Sequence, residues 1–302
     1  MNAIRNILVI VDPAAAHHPA VVKGALLAGQ FGAKLELFAC NAELHPLKRV
    51  ANGLPQNTVS LAAELKGLLE TLAVPLRARS LEVTTDAICA APLHAALLDH
   101  VQHTNADLIV KDTHHHTFAR RTVFTNTDWE LIRGLSAPLL LTKPNRWARA
   151  PSVLAAIDPG HEHDRGAHLD QCILDHGARL AQGLDGKLHV VHAHPCKVPV
   201  MAPIMPGPLL TASISPEALA AEHAAKIKIL TRLADKYSLP LANIHLEVGG
   251  VRGSICNVAA RVHADIIVMG AMPRTGLARA FIGNTAEEVL ERLPCDALVV
   301  KP

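Results

Sequence analysis

Aromatic side chains are scarce in this sequence, which contains only 3% Phe, Trp and Tyr. Basic and acidic residues almost balance, so the 302-residue chain carries a formal net charge of +2 at pH 7. A nucleic-acid-binding surface needs either a basic field or aromatic rings that stack on bases. The composition therefore disfavours DNA or RNA as a partner.

Long apolar runs and paired cysteines are also missing. The apolar runs extend over only about six to eight residues, which is too few to span a membrane. The first predicted strand begins so close to the N-terminus that no room remains for a signal peptide. The six cysteines are scattered without a pairing pattern, as is typical of reduced thiols. These features predict a soluble, cytoplasmic protein.

The sequence is an internal duplication. Residues 135–144 and 293–302 end the two halves in nearly the same way, at an offset of 158 residues. A repeat of this length can bury its own core, so it indicates a duplicated domain rather than a solenoid unit. We predict a first domain at 1–144, a linker at 145–151 and a second domain at 152–302.

Each half alternates short apolar runs with longer amphipathic segments, which predicts a parallel sheet covered by crossover helices. The class is therefore α/β, with two doubly wound domains of five strands each. The strands are expected near residues 6–11, 34–39, 78–83, 107–111 and 138–142, and near 152–157, 187–192, 243–248, 265–269 and 296–300. Gly32 and Gly183 are predicted to end the first helix of each half.

Two features point to ligand chemistry at the carboxyl ends of the strands. Asp12 and Asp158 follow the first strands, where an open parallel sheet binds ligands, although an Asp-Pro pair also starts an ordinary turn. The glycine-bearing loop within residues 268–290 favours anion binding, because glycines let the backbone approach a phosphate. Thr285 with Glu288, and Thr127 with Glu130, fit helix capping boxes instead.

The order of elements and this loop resemble the universal stress protein family, and the duplication resembles its tandem members of the UspE type. The resemblance implies Rossmann-like, HUP-type domains whose last strands pair within the chain, giving an intrachain pseudo-dimer. Nucleotide-binding members carry Gly, two residues, Gly, nine residues, Gly, then Ser or Thr. Gly270 and Gly283 match this motif, whereas Pro273 and Asn284 depart from it.

The resemblance implies a nucleotide site in the second half only. The residues that would hold ATP or AMP there are Asp158, Val191, Gly270, Gly283, Asn284 and Thr285. In the first half the four motif positions are Asp112, His115, Thr125 and Asn126. None of these four is glycine, and Asp112 would repel a phosphate, so we expect no nucleotide in the first half.

The 19 histidines raise a metal alternative. His161 and His163 follow the first strand of the second half, and His192 and His194 share one face of its second strand. Together with Asp158 they would suit Zn²⁺, which takes nitrogen and oxygen ligands tetrahedrally. The triplet His114–His116 fits a solvated loop, with an anion or metal site as the alternative.

We expect a non-catalytic stress-response protein that acts through protein contacts or through ligand binding in its second domain. Catalytic signatures such as the Gly-x-Ser-x-Gly elbow are missing from the sequence. Two alternatives stay open: a weakly hydrolysing ATP- or AMP-binding protein, and a binder of a metal or of an apolar small molecule held under residues 195–216. The sequence also leaves open whether two chains form a homodimer, and it does not identify a protein partner.

Overall fold

The computed structural model describes residues 3–41, 58–116, 121–123, 125–159, 164–194, 216–273, 280–281 and 284–302. The first half contains β1 (Asn6–Val11), α1 (Pro19–Phe31), β2 (Lys34–Asn41), α2 (Thr58–Arg77), β3 (Val83–Cys89), α3 (Leu93–Thr104), β4 (Leu108–Asp112), β5 (His114–His116), β6 (Arg121–Val123), α4 (Asn126–Gly134) and β7 (Leu139–Thr142). The second half contains β8 (Ser152–Ala156), α5 (Asp164–Gly183), β9 (Lys187–His194), α6 (Pro216–Lys236), a 3-10 turn (Leu241–Asn243), β10 (Ile244–Val248), α7 (Val251–Arg261), β11 (Ile266–Gly270), β12 (Met272–Pro273), β13 (Ala280–Phe281), α8 (Asn284–Leu290) and β14 (Asp296–Val300).

Ten of these strands form one continuous sheet, in the order β10-β9-β8-β11-β14-β7-β4-β1-β2-β3. Neighbouring strands within each half are parallel. At the centre β7 and β14 are antiparallel, and Leu140 lies opposite Leu298. The predicted class of two tandem α/β domains is confirmed, and their last strands do pair within the chain.

Both faces of the sheet are buried at its central strands, such as β1, β7, β11 and β14, which explains why these strands are nearly continuous apolar runs rather than alternating ones. The core on one face includes Val9 and Val268 and packs against α1, α2, α5 and α6. The core on the other face includes Leu8 and Met269 and packs against α3, α4, α7 and α8. Each core draws residues from both halves, so the two domains share their hydrophobic layers.

The third strand of the first half lies later than predicted. The sequence pattern places it near residues 78–83, but β3 begins only at Val83. Helix α2 continues through Pro75 to Arg77, and Ser80 then adopts a left-handed φ of 62° in the turn that follows. The chain therefore uses the predicted strand residues to end the helix and to turn back towards the sheet.

The predictions for the two helix-ending glycines have different outcomes. Gly32 follows α1 with a left-handed φ of 62° and caps it, as predicted. Gly183 is still helical, and the left-handed residue after α5 is Asp185, with a φ of 51°. A Cβ on Gly183 would lie 2.3 Å from Cε1 of Phe31, so this glycine permits close packing between α5 and α1.

The histidine triplet of the first half is not a loop. His114–His116 form β5, which pairs in antiparallel fashion with β6. The second half repeats this hairpin as β12 and β13, with Met272 opposite Phe281. In the second half the hairpin also approaches the other domain, because β13 lies against α4.

Two lysines hold the halves together in a reciprocal way. Lys143 Nζ donates to the carbonyl oxygen of Leu293, and Lys301 Nζ donates to the carbonyl oxygen of Leu135. The two donors are 158 residues apart in sequence and so are the two acceptors, so these contacts follow the pseudo-twofold relation of the repeats. Burial lowers the pKa of Lys301 to about 8.

A buried ion pair adds an asymmetric contact to this interface. Lys23 Nζ lies 2.6 Å from Oδ2 of Asp296, and their side chains are 6% and 1% exposed. Asp296 also accepts hydrogen bonds from the backbone N–H of Lys143 and the indole N–H of Trp147 in the linker. One carboxylate of the second half is thereby bound to α1, to the residue that follows β7 and to the linker.

Replacing Lys23 with methionine should destabilise the protein strongly, because Asp296 would stay buried without its charged partner. We expect the free energy of unfolding, measured by urea denaturation, to fall by about 3–5 kcal/mol. Lys34→Met is the matched control, because it breaks the exposed pair with Glu82 and should cost less than about 1 kcal/mol. Equal losses in the two variants would contradict this view of the interface.

Candidate functional site

A crevice opens at the carboxyl edge of the first half, where parallel sheets of this kind bind ligands. Its volume is about 330 Å³. The lining includes Ile10, Asp12, Cys40, Leu97, Lys111, Asp112, Thr125 and Thr127. The cavity therefore persists in the half of the chain that lacks the motif glycines.

Asp12 lies at the mouth of this crevice in a local turn. Its Oδ1 accepts a hydrogen bond of 2.9 Å from the backbone N–H of Ala14, and its carbonyl oxygen accepts one from Ala15. This is the geometry of an Asx turn. For Asp12, the structure favours the turn interpretation over the ligand interpretation.

Protein groups already occupy the start of α4 beside this crevice. Thr125 is the N-cap: its hydroxyl oxygen accepts the N–H of Asp128, and the Asp128 carboxylate accepts the N–H of Thr125. Lys111 Nζ lies 2.6 Å from the other oxygen of Asp128, whose side chain is fully buried. The capping box predicted at Thr127 is wrong, because the helix begins one residue before it and the cap is Thr125.

Asp112 occupies the first glycine position of the motif and points towards helix α1. Its Oδ1 accepts hydrogen bonds of 2.7 Å from the backbone N–H of Ala20 and from the hydroxyl of Thr142. Its Oδ2 is buried and has no hydrogen-bond partner among the described residues. Burial raises the pKa of this carboxyl. The first half therefore has a buried carboxyl group, with a raised pKa, next to the first turn of α1.

The second half carries no charge at any of the matching positions. At the offset of 158 residues, Lys111 corresponds to Met269 and Asp128 to Ala286. Asp112 and Thr125 correspond to Gly270 and Gly283. At these four positions the second half therefore has neither the two carboxylates nor the lysine of the first half.

Gly270 ends β11 and has a packing role. A Cβ built on it would lie 2.6 Å from Cδ2 of Leu169 in α5. Gly283 falls outside the described residues, whereas Asn284 begins α8 as Asn126 begins α4. The side chains of Asn284 and Thr285 are not described, so their predicted contacts with a nucleotide stay predictions.

Asp158 and Val191, the two predicted nucleoside contacts, have different surroundings. Val191 is 1% exposed and belongs to the core on the α7 side of the sheet. The Asp158 carboxylate is 54% exposed and lies 3.7 Å from Nδ1 of His192. Asp158 also lines a cavity of about 220 Å³ together with Asp170 and Tyr237.

The structure brings together two of the four candidate zinc ligands. His192 and His194 are buried on one face of β9 with ring centroids 6.4 Å apart. His194 Nδ1 lies 2.6 Å from Lys226 Nζ, and His192 Nδ1 lies 3.2 Å from the carbonyl oxygen of Ile157. His161 and His163 lie outside the described residues, as does nearly all of the segment 195–216. The zinc and apolar-ligand hypotheses therefore stay predictions.

The sequence-based prediction missed Lys111 and Asp128. The available signal was the repeat itself, because the same offset that aligns the motif also aligns this pair with Met269 and Ala286. When the two repeats are aligned, two charged residues of the first half match two uncharged residues of the second half, which marks positions at which the copies have diverged.

Comparison with known families gives two matches on the one chain. The model described as the universal stress protein family matches residues 3–143 and again residues 153–301. The chain belongs to the universal stress protein family. Because both matches lie in one polypeptide, it is a tandem universal stress protein.

Relatives that match this chain over nearly their whole length support this assignment. Universal stress protein E of Salmonella typhi is 28% identical over 320 residues, covering 100% of this chain and 96% of the relative. Universal stress protein E of Escherichia coli K12 is 27% identical over 314 residues, covering 100% and 95%. The tandem universal stress protein described here is therefore similar to the E type along its whole length.

Solved structures show the same architecture. A functionally unknown protein from Pseudomonas aeruginosa PAO1 superposes with a TM-score of 0.76 at 28% identity, covering 99% of this chain and 93% of that one. A universal stress protein from Archaeoglobus fulgidus gives a TM-score of 0.67 at 13% identity, covering 98% of both chains; at this identity the likeness shows the fold alone. Among the described helices, none is both long and apolar enough to cross a membrane.

Replacing Asp112 with asparagine should stabilise the protein at neutral pH. Because the folded-state pKa is raised, the unfolded chain loses this proton first as the pH rises, and the wild-type stability falls until the folded pKa is passed. The asparagine variant avoids that decline. It should be more stable by about 1 kcal/mol at about pH 8, with a smaller difference near about pH 4.5.

Urea denaturation at the two pH values measures this difference. Asp99→Asn is the control, because Asp99 is an exposed carboxylate on α3 and should show little change at either pH. A pH-independent loss of stability in the Asp112 variant would contradict the prediction.

Replacing Thr125 with alanine should remove the cap of α4, because Asp128 N–H would lose its acceptor. We expect a loss of about 1 kcal/mol in the free energy of unfolding. Thr127→Ala is the matched control and should change stability by less than half as much. If Thr127→Ala were the more damaging of the two, the cap would be misassigned.

Proposed function

We propose that this protein is a non-catalytic stress-response protein that binds an adenine nucleotide in the crevice of its second half. The observation that carries the proposal is the change of charge between the two crevices. Asp112 and Asp128 of the first half are replaced by Gly270 and Ala286 in the second. An anionic ligand is therefore opposed in one copy and unopposed in the other.

The size of the electrostatic effect supports this asymmetry. A phosphate charge about 4 Å from a carboxylate is repelled by about 4 kcal/mol at an effective dielectric constant near 20. In the first half, the charges of Lys111 and Asp128 offset one another as an ion pair, so Asp112 is the carboxylate that would repel a ligand phosphate. The matching position in the second half is Gly270, which carries no charge.

The state of the described thiols supports a non-catalytic role. Burial raises the pKa of Cys40 in the first crevice and of Cys256 on α7. Burial also raises the pKa of Cys295, to about 12. The thiolate is the nucleophilic form of cysteine, so none of these three groups is activated at neutral pH.

Adenine-nucleotide titration of matched variants tests the proposal. Gly283→Asp introduces a carboxylate at a motif glycine of the second half, and Thr125→Asp introduces one at the corresponding position of the first half. Aspartate is a good N-cap, so Thr125→Asp should preserve helix α4. Calorimetry with ATP and with AMP then compares both variants with the wild-type chain.

We expect one nucleotide per wild-type chain, affinity lowered at least about tenfold by Gly283→Asp, and no change with Thr125→Asp. At a hundredfold excess of nucleotide over its dissociation constant, the wild type should gain about 2.7 kcal/mol of stability. Phosphate release should stay at the level of the buffer. Wild-type chain that binds neither nucleotide, or that hydrolyses ATP with ordinary enzymatic turnover, would contradict the proposal.

A further inference from the structure

Three metal-ligand side chains meet at the outer edge of the first half, away from the crevice. Glu36 lies on β2, Asp86 on the edge strand β3 and His100 on α3. One donor atom from each lies within 4.8 Å of the other two. His100 Nε2 is 2.7 Å from Oε1 of Glu36, and its Nδ1 is 3.9 Å from Oδ2 of Asp86.

The strand register explains why the two carboxylates share one face. Phe38 pairs with Asp86, and Glu36 lies two residues before Phe38 on the same strand. Residues two apart on a strand point to the same side, so Glu36, Phe38 and Asp86 all face α3. The helix then places His100 between the two acids.

The imidazole of His100 is held in a defined orientation. Its ring stacks on Phe38, with the centroids 3.6 Å apart and the planes inclined by 6°. The side chain is 14% exposed, and that of Glu36 is 23% exposed. Two of the three donors are thus positioned by packing, whereas Asp86, at 52% exposure, has room to turn inwards.

The charges of the cluster do not balance. Two carboxylates face one imidazole, and among the described residues neither acid is paired with a lysine or an arginine. A divalent cation would compensate both carboxylates at once. Its bonds to nitrogen and oxygen are about 2.0–2.2 Å long, so the cation would replace the hydrogen bond between Glu36 and His100.

We propose that Glu36, Asp86 and His100 bind a divalent transition-metal ion of the Zn²⁺ class. A mixed set of one imidazole and two carboxylates suits such ions, whereas Mg²⁺ prefers oxygen ligands alone. The bound ion would tie the edge strand β3 to β2 and α3. This site is separate from the second-half crevice, so it does not depend on the proposed function.

The matching place in the second half provides an internal comparison. In the first half, Asp86 on β3 pairs with Phe38 on β2. In the second half, His245 on β10 pairs in the same way with Val191 on β9. His189, two residues before Val191, therefore takes the place of Glu36. Nδ1 of His189 lies 3.2 Å from Nε2 of His245. The third position, matching His100, is the buried Val258, so the second half lacks one of the three donors.

Zinc titration of the full chain tests the proposal. After treatment with a chelator, ZnCl₂ is titrated into the wild type, Glu36→Gln, Asp86→Asn and His100→Gln in competition with a chromogenic chelator. Asp86→Asn changes an exposed side chain and keeps the fold, which secures the test if His100→Gln unfolds. His103→Gln, an exposed histidine on the same helix, and His245→Gln are the controls.

We expect each of the three ligand variants to lose one zinc site or to weaken it at least about tenfold, while both controls match the wild type. Hydrogen exchange with and without zinc should show slower exchange in β3 of the wild type and no such change in Asp86→Asn. Unchanged zinc binding in Asp86→Asn and Glu36→Gln would overturn the proposal. Loss of the site in His245→Gln alone would overturn it as well, by placing the metal in the second half.

Discussion

The antiparallel pairing of β7 with β14 is the contact on which the rest of the structure depends. The last strand of each half would otherwise be an open edge, with unpaired backbone groups facing solvent. Leu140 opposite Leu298 closes both edges at once. The reciprocal bonds from Lys143 and Lys301 add a charged donor at each end of this contact. Both hydrophobic layers then run through the two halves without interruption.

The two copies share the interface contacts and differ in the charges that line the crevice. A pseudo-twofold interface needs a matching partner from each half, so both lysines are retained. In the first half, Lys111 and Asp128 form an ion pair beside the crevice, and the Asp128 carboxylate also accepts the N–H of Thr125 at the start of α4. The second copy keeps Gly270 and Gly283 and carries no charge there.

The errors of the sequence-based prediction arise where one residue pattern fits more than one local structure. The β-strand pattern near residues 78–83 gives way to a helix end and a turn. Gly183 looks like a helix stop, but the approach of Phe31 explains it. Thr127 fits a capping box by spacing, yet the cap that forms is the one supported by Lys111 from a neighbouring strand. At Gly183 the deciding neighbour is Phe31, which is remote in sequence, whereas the end of α2 and the Thr125–Asp128 cap are local features.

The sequence by itself determined the duplication, the α/β class and nine of the ten strand positions, because these follow from periodicity and from the offset of the repeats. The pairing of the last strands was expected only from the family resemblance, and the structure confirms it. Only the tertiary structure decided that Asp112 turns to α1, and that Glu36 meets His100, which is 64 residues away. Such contacts depend on strand register and on the rotation of helices against the sheet, and no local pattern encodes either of these.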